Sequence, residues 1–229
     1  MTSDPAVGES APDDMLAGHP ELAYFWGRVA GDGDVTRDEI RVVAGDETAA
    51  ERLAAIAGAE QVEHRIAERE YAHDTAITRT EDEYTVQVIG STLADRASAA
   101  LGLPVADHPG GYRFDAFADY DRQLIRGLLE GCGTICFKRS SGTVGISFVH
   151  DDRNLVETVQ SIVEMAEVEA PTGELAESSS GRYWFGVEDD AGGRFGEWLY
   201  RDTDESGLFA PNRRRKLRRS LEQAEQAEK

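Results

Sequence analysis

One spacing constrains this chain more than any other. The stretch FWGRVAGDG at 25–33 has the same build as IRGLLEGCG at 125–133, and Gly27, Gly31 and Gly33 align with Gly127, Gly131 and Gly133 at intervals of 100 residues. Glycines spaced this way leave one side of a helix bare, so that a second helix can come close to its backbone. Taken alone, GDGDV at 31–35 is a helix stop and a turn. A calcium loop does not fit, because the sixth position counted from Asp32 is Arg37 rather than glycine. The second copy turns a local stop into a piece of architecture.

The rest of the chain follows the same period. After each glycine-bearing helix come two short strands, at 34–36 and 39–44 and again at 134–139 and 143–149. Amphipathic helices over 47–58 and 152–168 follow, then strands at 60–71, 75–89, 173–178 and 182–188, and closing helices at 91–103 and 191–200. The expected fold class is α+β, with the order αββαββα written twice. Residues 1–18 are acidic and rich in small side chains, and are expected to be disordered. The expected divisions are a first repeat over 19–103, a linker over 104–117 carrying two prolines near its start and a Gly-Gly pair, a second repeat over 118–220, and a polar tail over 221–229.

Composition narrows the setting. With 24 basic and 44 acidic residues the net charge is −20, and only Lys138, Lys216 and Lys229 are lysines. Such a surface suits molar salt, where a Debye length of about 3 Å suppresses self-repulsion. Two cysteines four residues apart make neither a secretory disulfide framework nor a zinc CxxC pair. The start, MTSDPAVGESAPDD, lacks the basic and apolar regions of a signal peptide, and the expected location is cytoplasmic without membrane contact. The five histidines show no HExxH spacing, and there is no Walker loop, G-x-S-x-G or dinucleotide fingerprint. Trp184, Trp198 and Tyr200 read as core.

The paired segments FWGRVAGDG and IRGLLEGCG, with the ending GEWLYRDTDESGLFAPNRRRK at 196–216, resemble the LAGLIDADG homing endonucleases of the single-chain, two-repeat type over about 19–220. The resemblance implies two pseudo-symmetric halves packed through their motif helices at Gly27 and Gly127, with the strands forming a saddle over nucleic acid. It also implies a metal-binding acid between the last two glycines of each motif. That position holds Asp32 in the first copy and Cys132 in the second. Carboxylates at two helix ends would bring hard oxygen ligands to a Mg²⁺ beside a phosphodiester, whereas a thiol is a poor Mg²⁺ ligand. Glu130 lies about 200° around the helix from Cys132 and cannot replace it.

The expectation is therefore a nucleic-acid-binding scaffold, for DNA or RNA, that has lost cleavage and works as a monomer, with no cofactor or with Mg²⁺ if active. An active, diverged endonuclease relying on Asp32 is the alternative, and a protein-interaction module on the same scaffold is a second. Candidate phosphate contacts are Lys138, Arg139 and Arg182 on the strands, and the run Arg213, Arg214, Arg215, Lys216, Arg218 and Arg219, six cations in seven residues. The strand regions are otherwise acidic, with 6 basic against 14 acidic residues over 34–90 and 4 against 10 over 134–189, so that run is the strongest electrostatic candidate.

Overall fold

The computed structural model describes residues 14–59, 61–71, 74–105 and 110–227. At its centre lie two helices, α1 (Pro20–Asp32) and α4 (Asp121–Cys132). Pro20 begins α1, His19 caps it by accepting a hydrogen bond from the Glu21 N–H, and Gly33 leaves it in extended conformation. Every residue from Leu22 to Gly31 is buried, as is every residue from Gln123 to Glu130. Helices enclosed all round do not show the one-sided stripe of a surface helix.

Each central helix leads into the same sequence of elements. In the first half these are β1 (Asp34–Val35), β2 (Glu39–Ala44), α2 (Glu47–Ala57), β3 (Val62–Tyr71), β4 (Asp74–Ile89) and α3 (Ser91–Leu101). In the second they are β5 (Gly133–Lys138), β6 (Thr143–His150), α5 (Arg153–Glu164), β7 (Ala176–Glu177), β8 (Tyr183–Gly186) and α6 (Gly192–Leu199). A short α7 (Thr203–Ser206) and the long α8 (Pro211–Ala227) complete the chain. The sheets are antiparallel and share one strand order, β1-β2-β4-β3 and β5-β6-β8-β7. This is the αββαββα order read from the sequence, present twice.

Alternation along the strands gives each sheet one core face. Ile40, Val42 and Ala44 point inward from β2, and Val144, Ile146 and Phe148 from β6, against α1 and α4. Asp46 and Asp152 cap α2 and α5 through their carboxylates. Phe148 stacks on Phe185 with ring centroids 5.2 Å apart, tying β6 to β8 on the buried side.

Several boundaries differ from expectation. Residues 1–13 lie outside the described residues, but Met15, Leu16 and Ala17 pack on the core and the Met15 carbonyl accepts from the Trp26 indole at 2.6 Å. A buried indole N–H needs an acceptor, and the end of the acidic segment supplies it. The stretch read as a linker contributes Tyr112, Phe114 and Phe117 to the core and enters α4 through a 3-10 turn, Asp115–Tyr120. The residues read as a tail continue α8 to Ala227, because Leu221 and Ala224 still reach the core. Strand β7 is shorter than predicted, with Thr172 adding an isolated bridge to Val187. Trp198 and Tyr200 are buried, but Trp184 is 41% exposed, since it points away from Phe185 onto the open face of its sheet.

Candidate nucleic-acid interface

The candidate site is organised by the crossing of α1 and α4. A Cβ placed on Gly27 would lie 2.4 Å from the Leu124 carbonyl oxygen, and one on Gly127 would lie 2.3 Å from that of Tyr24. One turn on, a Cβ on Gly31 would be 3.1 Å from Gly131 Cα and from the Cys132 backbone nitrogen. A Cβ on Gly131 would be 3.1 Å from the Asp32 nitrogen. The two helix ends therefore abut, backbone against backbone, and Asp32 and Cys132 emerge side by side at the seam.

A family model described as "Putative archaeal homing endonuclease" (LAGLIDADG_4) matches residues 1–227. The chain belongs to this LAGLIDADG family. Comparison with curated protein sequences gave no match. Among solved structures, the homing endonuclease I-WcaI bound to its DNA recognition sequence is similar at 10% identity and a TM-score of 0.53, covering 92% of this chain and 88% of that one. The N-terminal LAGLIDADG domain of DUF199/WhiA is similar at 12% identity and a TM-score of 0.49, covering 87% and 93%. I-DmoI in complex with DNA and Mn is similar at 14% identity and a TM-score of 0.46, covering 82% and 99%.

Within the LAGLIDADG frame, the two acid positions have different surroundings. The Asp32 carboxylate accepts from Arg28 Nη2 at 2.9 and 3.2 Å, a pairing of residues one turn apart on α1. Arg28 is 3% exposed and also donates to the Val43 carbonyl at 2.5 Å, which fixes the guanidinium between α1 and β2. Burial pushes the Asp32 carboxyl above the usual range, while the charges of Arg28 and Arg213 draw it back. Arg28 is a site residue that the glycine motif does not single out. Its signal in the sequence was an arginine four residues before the motif acid.

Cys132 is 8% exposed and its thiol donates to the Leu128 carbonyl at 3.4 Å. Burial, followed by the charge of Asp32, pushes the thiol up to about 12. At neutral pH this group is a protonated, weakly polar core atom rather than a thiolate. Glu130 does not take its place: one carboxylate oxygen accepts from the Tyr24 hydroxyl at 2.6 Å and the other from the Ala210 N–H at 2.9 Å. Both oxygens are spent on holding the helices and the approach to α8 together. Among the described residues no group of three His, Cys, Asp or Glu side chains could hold a metal ion. A carboxylate held by a buried guanidinium beside a protonated thiol does not fit Mg²⁺ or Mn²⁺.

Basic side chains gather beside this seam. A cleft of about 650 Å³ opens there, walled by the cations Arg28, Arg65, Arg213 and Lys216 and by the acids Asp32, Glu81, Asp82, Glu83 and Glu130, so the basic side chains face carboxylates across it. The predicted cations divide by position. Arg213 donates to the Glu130 carbonyl at 3.3 Å, and Arg214 grips Asp204 with both terminal nitrogens while lying over the Phe209 ring, so these two secure the start of α8. Arg215, Lys216, Arg218 and Arg219 are exposed along the helix, with Arg218 loosely paired to Glu222 at 3.8 Å. On the second sheet Lys138 pairs with Asp189 and Arg182 with Asp151, while Arg139 is exposed at the β5–β6 turn.

Proposed function

We propose that this LAGLIDADG protein binds nucleic acid and does not cleave it. The observation that carries the reading is the chemistry at the two motif acids: Asp32 is neutralised by a buried arginine, and Cys132 presents a protonated thiol where a second hard oxygen ligand is needed. Binding is supported by the family's scaffold and by the cationic stretch of α8 beside the seam. Exposed arginines and lysine can displace condensed counterions from a phosphate backbone whatever its sequence. A recruited regulatory or RNA-related role fits a scaffold that keeps its binding surface after losing a ligand set.

The test is cleavage and binding measured together. Supercoiled plasmid incubated with the protein and Mg²⁺ or Mn²⁺, over a range of salt, should remain supercoiled, while fluorescence anisotropy should report salt-dependent binding of DNA or RNA. Site-specific breaks that disappear in Asp32→Ala would overturn the reading in favour of an active endonuclease. Absence of binding at every salt concentration would favour a protein-interaction module instead.

A further inference from the structure

The two sheets of this molecule present different chemistry on their open faces. On the first, the cross-strand pairs are Glu39 with the exposed Ile89, Arg41 with Gln87, Val43 with Thr85, and Arg65 over the buried Glu83, and Glu39 takes hydrogen bonds from both Arg41 and Gln87. Arg41, Arg65 and Gln87 are long polar side chains of the kind that reach base edges in a duplex groove. On the second, the rows are Thr134, Ser147 and Gly186; Cys136 and Gly145; and Val149, Trp184 and Ala176. None of these carries a charge, and only the indole is long. Lys138 lies flat, its stem over Gly145, and is held by Asp189.

From this contrast we infer that the open face of the second sheet is a platform for an unpaired nucleotide of single-stranded nucleic acid, with a base stacked on Trp184. The inference rests on the nucleic-acid-binding reading and specifies which form is bound and where. Trp184 is 41% exposed in a chain whose other tryptophans, Trp26 and Trp198, are 0% and 3% exposed. Its ring edge comes within 3.9 Å of the Cβ position of Gly186, so the neighbouring strand position offers no side chain to cover it. Thr134 and Ser147 supply small hydroxyls in the adjacent row, suited to a base brought flat against the sheet. Short side chains cannot reach into a duplex groove, whereas an aromatic face binds any base that is free to unstack.

Charge selects the occupant. On a molecule of net charge −20 this face is a neutral island. Its rim carries Arg139 at the β5–β6 turn, Lys138 at the end of β5 and Arg182 just before β8. The aspartates opposite Lys138 and Arg182 are 41% and 81% exposed, so a phosphate can exchange with them at little cost. Neutral stacking surface with cations at its edge is the arrangement that holds a single strand without reading its sequence.

The experiment uses the full chain and its own fluorescence. Short oligouridylate and oligothymidylate strands, and a duplex of matched length, are titrated into the protein while tryptophan emission and labelled-strand anisotropy are followed. The single strands should quench the exposed tryptophan and bind more tightly than the duplex. Trp184→Ala should lose at least about tenfold in single-strand affinity, and Trp184→Phe should recover part of it. Circular dichroism and the emission of buried Trp26 and Trp198 verify that the variants are folded, and quenching in the unaltered protein does not depend on any variant. Duplex bound as tightly as single strands, with emission unchanged and Trp184→Ala without effect, would overturn this inference and leave the proposed function standing. No binding of either form would remove both.

Discussion

At the residue scale, the defining groups are those that have almost no side chain. Gly27 and Gly127 each face a carbonyl oxygen of the opposite helix at a distance no methyl group can occupy. Substituting alanine at either position forces the central helices apart, and the buried backbone around the crossing cannot yield without disturbing the Tyr24–Glu130 hydrogen bond between them. Gly27→Ala should cost at least about 3 kcal/mol, a fall in Tm of roughly 6–12 °C for a chain of this size. Gly111→Ala, where no heavy atom lies within 4 Å of the Cβ position, should leave Tm nearly unchanged. Thermal melts of the two variants check this directly, and equal stability would mean that the helices do not approach as described.

At the element scale, α8 performs two tasks along its length. Its first turn is structural, since Arg213 and Arg214 bond to Glu130 and Asp204 and Leu217 packs against the Cβ position of Gly196. Beyond that turn Arg215, Lys216, Arg218 and Arg219 are exposed to solvent. Replacing Arg215, Lys216, Arg218 and Arg219 with glutamine should leave the circular dichroism spectrum and Tm close to those of the parent. The same change should flatten log K against log salt by up to about 3.6, given about 0.9 per neutralised phosphate on duplex DNA. Adding Arg213→Gln and Arg214→Gln should in addition lower Tm, because both then leave buried or bidentate partners unmet. An unchanged salt slope in the four-site variant would place phosphate binding on another element.

At the scale of the whole molecule, the net charge of −20 bears on how stability should respond to salt. The 44 acidic residues outnumber the 24 basic ones by 20. Self-repulsion of that surface is long-ranged at low ionic strength and is confined to near neighbours in molar salt. Raising KCl from about 0.1 M to above about 1 M, where the Debye length drops from about 10 to about 3 Å, should therefore raise Tm substantially. Circular dichroism melts across that range test it, and a Tm independent of salt would show that the acidic surface carries no such adaptation.

The sequence by itself determined the repeat, the order of elements and the crossing of the central helices. Each of those is a local pattern: glycine spacing, alternation, turn residues and caps act within a few residues, and the interval of 100 aligns the two copies. It also identified Cys132 as the wrong ligand for a hard cation, a matter of atom type alone. Tertiary structure decided the rest. The Arg28–Asp32 pairing was present as an i, i+4 spacing, but only the position of the Val43 carbonyl on β2 fixes the buried guanidinium against the more exposed carboxylate. The helix extending to Ala227 and the buried Tyr112 depend on apolar surface that other elements provide. Trp184 is the clearest case. Its hydrophobicity argued for the core, yet side chains on a strand alternate, and once Phe185 is committed to the interior its neighbour must face outward.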